Sequence, residues 1–251
     1  MQAHAERFGV EILPAQTVTG IMTDGDHKLI TTESGDEYCS SAVLLAPGTR
    51  YRRLGVPGEE DLIGAGIHFC ATCDGPFYKD REVVVVGGGN SGVEEGLFLT
   101  KFATKVTVIE FNDQLGASQI LREKADRHPK VEIKLGKAVQ EFKGTGNLES
   151  IIIQDRATGE NGELFPAAAF IFIGLDPNTA FVKDLIETDK YGFITTSGTM
   201  ETSLEGVFAA GDARGGSTKQ VASAVGEGAT AALMIRNYLE KQRGNRGYKG
   251  D

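Results

Sequence analysis

The sequence predicts an α/β fold organised around a strand, glycine turn, helix, strand unit, and three observations predict it. Val83, Val84, Val85 and Val86 follow a charged residue in the near-continuous apolar pattern of a parallel strand covered on both faces. Gly87-Gly88-Gly89-Asn90-Ser91-Gly92 interrupts that run. A helical stretch over 91–102, with Val93, Leu97 and either Phe98 or Leu99 on one side, then leads to a second apolar strand over 105–110.

Upstream the chain reads as mostly β. Residues 1–9 look like the end of a helix, 10–13 like an alternating strand, and 21–32 like a hairpin, with turn signals at Asp24-Gly25 and Ser34-Gly35. Apolar residues 42–46 stop at Pro47-Gly48-Thr49, as a buried strand does at a sharp turn. A Pro- and Gly-bearing loop over 53–66 marks one crossing between domains. Downstream, 117–128 reads as helix, 131–135 and 151–154 as strands, and 167–173 as a buried strand closing on Gly174-Leu175-Asp176-Pro177-Asn178. One α/β domain fits 79–197. Residues 206–210 form a short apolar strand entering Gly211-Asp212, and 221–241 carry the alanine-rich, amphipathic look of a long helix. There is no repeat of solenoid period and no low-complexity linker.

Composition narrows the function classes. A chain of 251 residues with 40% apolar and 24% charged residues, 33 glycines and 7 prolines belongs with globular proteins. Its length suits one large or two ordinary domains. With 35 acidic against 26 basic side chains, the formal charge of -9 repels phosphate backbones and anionic lipid, so nucleic acid and membrane are not expected as partners. No stretch approaches the roughly 20 apolar residues of a membrane span, and the start lacks a secretory pattern, so a reducing, cytoplasmic setting is expected. Three cysteines are too few and too odd in number for a disulfide framework.

Gly87, Gly89 and Gly92 match G-x-G-x-x-G in the strand-to-helix context that gives the motif meaning. The first glycine makes the tight turn, the second lets backbone amides approach a pyrophosphate, and the third lets helix pack on strand. Asn90 and Ser91 open the helix whose positive end would face the phosphates. A plain glycine-rich turn is the competing reading, but Glu110 ends the second strand about 20 residues on, where a carboxylate accepts from the adenosine ribose hydroxyl and repels a 2'-phosphate. Phe111-Asn112-Asp113-Gln114-Leu115-Gly116 contains no arginine, so NADH is expected over NADPH.

Cys70 and Cys73 lie in Phe69-Cys70-Ala71-Thr72-Cys73-Asp74-Gly75-Pro76-Phe77, just before the valine strand. A thiolate is the reacting species in disulfide exchange, so such pairs lower one thiol pKa at a turn or helix start, and Asp74 could shuttle the proton. Structural zinc usually needs four Cys or His ligands, and no second CxxC or HxxxH exists. Cys39 reads as a buried small hydrophobe. His68 keeps a hybrid metal site as the lesser alternative, and no metal is expected.

The order CATCDGPFY, VVVVGGGNSGVEE, IGLDPNT, GVFAAGD and KQVASAVGEGATAA resembles the low-molecular-weight thioredoxin reductase family over essentially the whole chain. The resemblance implies two Rossmann-like FAD/NAD(P)-binding domains, with the NAD domain, residues 70–197, inserted into an FAD domain formed by 1–69 and 198–251. It further implies a relay from nicotinamide through FAD to the cysteine pair and on to a protein partner. Cys73 would face the flavin, Cys70 would attack the partner disulfide, and Asp74 would donate the proton. Gly211 and Asp212 would contact the ribityl and phosphate end of the flavin, and Lys219, Gln220 and Val221 would lie along its ring. Gly48 and Gly174, at two strand ends, complete the cofactor-binding set. A homodimer is implied as well.

Three departures stand against that pattern. Pro47 replaces the usual threonine of Ala-Thr-Gly. The missing arginine cluster after Glu110 is more similar to the NADH-using flavoprotein subunit of alkyl hydroperoxide reductase, which keeps a peroxiredoxin-type partner open. The strand and glycine loop that bind the FAD pyrophosphate in the family have no counterpart before Met1, so the FAD domain is expected to be incomplete at its N-terminus. Two functions follow: a flavin-dependent reductase of thioredoxin or a related disulfide protein, or a truncated, non-catalytic nucleotide-binding or interaction module.

Overall fold

The computed structural model describes residues 2–247. They gather into two compact units, one formed by the chain up to Arg50 and again from Asp176, the other by Tyr51–Leu175. The short strands β5 (Thr49–Tyr51) and β14 (Leu175–Pro177) fall at the two crossings.

The second unit holds β6 (Ile67–His68), α2 (Ala71–Asp74), β7 (Glu82–Val86), α3 (Asn90–Leu99), β8 (Lys105–Ile109), α4 (Gln119–Asp126), β9 (Val131–Lys134), β10 (Lys137–Lys143), β11 (Ser150–Asp155), β12 (Asn161–Leu164) and β13 (Ala168–Ile171). Five of these strands form a parallel sheet in the order β6-β13-β7-β8-β9, and β10-β11-β12 form a separate antiparallel sheet. The valine run explains the layering. Val83 and Val85 pack with Val93, Leu99, Val106 and Val108 on the helical side. Val84 and Val86 pack with Ile109, Ile171 and with Phe142 and Ile151 of the antiparallel sheet on the other. A strand buried on both faces has no polar side to show, which is why its sequence does not alternate.

The first unit contains α1 (Gln2–Arg7), β1 (Val18–Asp24), β2 (His27–Thr32), β3 (Glu37–Ser40), β4 (Val43–Leu45), β15 (Val207–Ala209) and α5 (Val221–Gly247). β1-β2-β3 is an antiparallel meander, turning at Gly25 and Gly35 with φ of 55° and 88°, and β15 pairs in parallel with β4. Ile21 and Leu45 pack with Val182, Ile186, Ile194 and Val207. Helix α5 covers β15 through Ala231, Met234, Ile235 and Tyr238 against Phe208.

Four sequence expectations change. Residues 10–13 form no strand, and Val10, Ile12 and Leu13 are exposed. Cys39 is exposed rather than buried, because β3 is the edge of its meander and Cys39 pairs only with Leu29. Strands β10 and β12, which carry lysines and glutamates on their open face, are absent from the sequence reading. The crossings fall at 50/51 and 175/176 instead of 69/70 and 197/198. The residues before the cysteines are drawn into the parallel sheet by the pairing of Ile67 with Ala169 and His68 with Phe170. Val182, Ile186 and Ile194 complete the core of the first unit. Among the described residues no helix is long and apolar enough to cross a membrane.

Candidate functional site

Cys70 and Cys73 form a disulfide with a Cα–Cα separation of 5.3 Å. The chain leaves β6 at His68, and Cys70 caps α2, its Sγ accepting the Cys73 amide at 3.1 Å. Cys73 is exposed and Cys70 half-buried. Asp74 ends α2 and holds one carboxylate oxygen 3.4 Å from His68 Nδ1, while His68 Nε2 lies 2.6 Å from the Tyr78 hydroxyl. Burial pushes His68 below its ordinary pKa, against the opposing pull of Asp74. Burial, with the Asp74 charge, pushes Tyr78 above its own ordinary value. Tyr51 stacks on Phe69 at 4.9 Å and the Arg53 guanidinium covers the same ring at 4.4 Å, so the residue before Cys70 is held by two partners.

The glycine turn between β7 and α3 is constrained differently at each glycine. Gly87 has φ of 116°, and a Cβ there would meet the Phe172 carbonyl oxygen at 2.3 Å. At Gly92 a Cβ would stand 1.9 Å from the Gly87 oxygen, so only glycine lets α3 pack this close. A Cβ on Gly89 would meet open space; it is the N-terminal cap of α3, and no side chain caps the amides there. Asn90 Oδ1 accepts the Ser118 amide at 2.7 Å, tying the start of α3 to the loop before α4, and Ser91 is exposed.

Glu110 is 7% exposed. One of its oxygens accepts the Gly88 amide at 2.6 Å, and the other accepts the Asn112 amide at 2.9 Å and the Asn112 side chain at 2.6 Å. Gly88 therefore matters as much as its neighbours: a Cβ there would lie 2.6 Å from the Glu110 carboxylate and from Leu115. Sequence reasoning also missed Arg156, whose guanidinium sits 3.8 Å from the centre of the Phe111 ring and donates to the Phe111 carbonyl at 2.8 Å. It comes from the turn after β11, so no local signal announces it. Gly174 has φ of 118°, and its carbonyl accepts the Arg52 amide at 3.1 Å.

In the first unit, the Gly211 amide donates to Glu227 at 2.7 Å, and Asp212 carries a buried oxygen without a hydrogen-bond partner. Lys219, at φ of 58°, donates to the carbonyls of Asp212 at 2.6 Å and Arg214 at 3.0 Å and lies over Phe193. Burial lowers its pKa. Gln220 and Val221 are exposed at the start of α5. Gly48 has φ of 69°, and its carbonyl accepts the Asn178 amide at 3.0 Å. Glu227, absent from the sequence reading, also pairs with Arg214 at 2.6 Å, and that contact holds its carboxyl below the usual range. Among the described residues no group of three or more His, Cys, Asp or Glu is arranged to hold a metal ion.

The family described as pyridine nucleotide-disulphide oxidoreductase matches residues 2–228. The chain is 40% identical to the thioredoxin reductase of Bacillus subtilis (strain 168) over 242 residues, 96% of this chain and 76% of that protein. It is 41% identical to the thioredoxin reductase of Peptoclostridium acidaminophilum over 246 residues, 96% and 78% of the two chains. Among solved structures, the thioredoxin reductase from Streptococcus pyogenes superposes with a TM-score of 0.89 at 40% identity, over 95% of this chain and 78% of that one. The chain belongs to the pyridine nucleotide-disulphide oxidoreductases and, within them, to the low-molecular-weight thioredoxin reductase family of flavin-dependent disulfide oxidoreductases.

Proposed function

We propose that the chain passes electrons from NADH, through FAD, to the Cys70–Cys73 disulfide and on to thioredoxin or a related disulfide protein. The observation that carries this reading is the oxidised pair at the start of α2 with the Asp74 carboxylate in the same turn. When bound, the nicotinamide and the flavin supply the hydride and electron-pair transfers.

The residues divide the remaining work. Gly87, Gly89 and Gly92, with the amides of Asn90 and Ser91, suit a pyrophosphate at the α3 N-terminus, since the Cβ direction at Gly89 is open. Glu110 suits the adenosine ribose. Its carboxylate repels a 2'-phosphate, which supports NADH over NADPH. Asp212, with its unpartnered buried oxygen, suits a hydroxyl of the flavin chain, and Gly211, Gly48, Lys219, Gln220 and Val221 join it in the cofactor set on the resemblance of their motifs. Gly174 belongs to the cofactor set on the resemblance of its motif. On this reading the first unit is the FAD-binding domain and the second the NAD-binding one.

Cys73 receives the electron pair. Cys70, as thiolate, then attacks the partner disulfide and expels one partner thiolate. Cys73 attacks the mixed disulfide at Cys70 and expels the second, restoring the Cys70–Cys73 bond. Asp74 delivers protons to the thiolates released. A cytoplasmic setting accompanies this reading, a homodimer does so on resemblance alone, and a peroxiredoxin-type partner rests on the NADH argument.

The test is anaerobic. The chain is supplied with FAD, and bleaching of the flavin band by NADH and by NADPH is followed, then thiol release from oxidised thioredoxin. Bleaching faster with NADH, followed by thioredoxin reduction, is the expected result. Failure to take up FAD or to bleach overturns the reading for this chain.

A further inference from the structure

His68 takes no part in the reaction as assigned, yet it is the most constrained polar side chain beside the disulfide. It ends β6 and is 9% exposed, and both ring nitrogens face a group that can exchange a proton: Asp74 at 3.4 Å from Nδ1 and Tyr78 at 2.6 Å from Nε2. The three meet because the chain turns back after β6, through α2 and a single 3-10 turn over Gly75–Tyr78, and lays Asp74 and Tyr78 against the strand it has just left. Phe170, the parallel-ladder partner of His68, packs on both rings, with centroids 5.4 Å from His68 and 6.0 Å from Tyr78. The row is thereby shielded on the sheet side, while Asp74 is 31% exposed at its far end.

We propose that His68, together with Tyr78, is a positioning residue and proton conduit for Asp74, and so sets the pH range over which the Cys70–Cys73 pair cycles. The proposal rests on the reading of the chain as a disulfide reductase. A neutral imidazole can serve both protonation states of Asp74. When Asp74 is a carboxylate, Nδ1–H donates to it and Nε2 accepts from the Tyr78 hydroxyl. When Asp74 is protonated, it donates to Nδ1, and Nε2–H donates to the Tyr78 oxygen. A hydroxyl can be either donor or acceptor, so the row switches between the two without a broken link.

The proton count closes. Once Asp74 has given its proton to a released thiolate, the imidazole, left with its proton on Nε2, returns to the Nδ1–H tautomer by proton exchange with water, and Nδ1–H then passes to the carboxylate. Nε2 takes the Tyr78 proton, and Tyr78 takes one from water, so one proton enters for each one delivered. The charged and titratable groups facing His68 are Asp74 from α2 and Tyr78 from the 3-10 turn, with Arg81 acting on Tyr78, and β13 offers only Phe170. Burial keeps the imidazole neutral near pH 7, the state the switch requires.

The experiment needs neither nucleotide nor flavin. The oxidised chain is reduced with dithiothreitol from mildly acidic to mildly alkaline pH, and protein thiols are trapped by alkylation and counted by mass. Each variant is compared with wild type at the same pH to cancel the ionisation of the reagent. His68→Asn keeps an amide facing Asp74 but cannot pass a proton. It is expected to slow reduction about tenfold at neutral pH, a fraction of the roughly 10²–10⁴-fold that a positioned acid supplies, and to flatten the pH profile. In an Asp74→Asn background the same change is expected to add nothing. Tyr78→Phe carries the same expectation should His68→Asn fail to fold by circular dichroism. A wild-type pH profile in a folded variant, or effects that multiply with Asp74→Asn, overturns the proposal. Failure of NADH-dependent thioredoxin reduction with these profiles as expected would count against the proposed function and leave the conduit standing.

Discussion

The Glu110 carboxylate accepts the Gly88 amide at 2.6 Å, so the end of β8 is fastened directly to the glycine turn between β7 and α3. Two segments 22 residues apart in sequence, the acidic end of β8 and the glycine turn, are thus held as one rigid piece.

Glu110→Gln removes the charge while leaving an acceptor for Gly88. The expected outcome is a fall of about tenfold in the preference for NADH over NADPH, equal to about 1.4 kcal/mol, read by fluorescence titration of both nucleotides. An unchanged ratio would remove Glu110 as the source of discrimination.

Gly92→Ala places a methyl group 1.9 Å from the Gly87 carbonyl oxygen, a backbone atom that cannot rotate away. The second unit is expected to lose about 3 kcal/mol or more of stability in denaturant unfolding, with nucleotide binding lost alongside. Gly89→Ala, whose Cβ meets nothing, should leave stability nearly unchanged and weaken nucleotide binding alone.

Glu227 holds both the Gly211 amide and the Arg214 guanidinium, and its side chain is 11% exposed. Glu227→Ala leaves a largely buried arginine unpaired and is expected to cost about 3 kcal/mol in denaturant unfolding of the first unit. The folded-state carboxyl lies below its ordinary value, chiefly through the hydrogen bond from Arg214, so the unfolded state binds more protons. The stabilisation is present above the ordinary carboxylate range and is lost as pH falls through the lowered folded value. Glu227→Gln should therefore blunt the acid limb of stability against pH.

His68 gives a second pH signature with its own window. Its folded pKa is lowered from 6.5, so protonation is disfavoured in the fold. Stability is full above pH 6.5 and declines as pH falls from there toward the lowered folded value. His68→Asn should remove that decline, seen as a flatter melting temperature against pH over mildly acidic conditions.

Local pattern carried much of this far. Val83 to Val86 declare a strand covered on both faces because the run is apolar throughout, and the need for glycine at Gly87 and Gly92 follows from backbone sterics. The pairing of Cys70 with Cys73 lies within reach of a two-residue spacing. Residues 10–13 misled because alternation alone does not supply a pairing partner, and β10 and β12 escaped notice because Lys, Gln and Glu occupy their open faces.

By itself the amino-acid sequence determined the α/β class, the glycine turn between β7 and α3, and the paired cysteines, since each depends on residues close together in sequence. Only the tertiary structure decided that His68 lies between Asp74 and Tyr78, that Arg156 covers Phe111 from 45 residues away, and that Glu227 fastens the Gly211 loop. These contacts depend on the β6–β13 ladder, the β11–β12 turn and the packing of α5. The pairing of distant segments is set by the global burial of apolar surface, which no local window records.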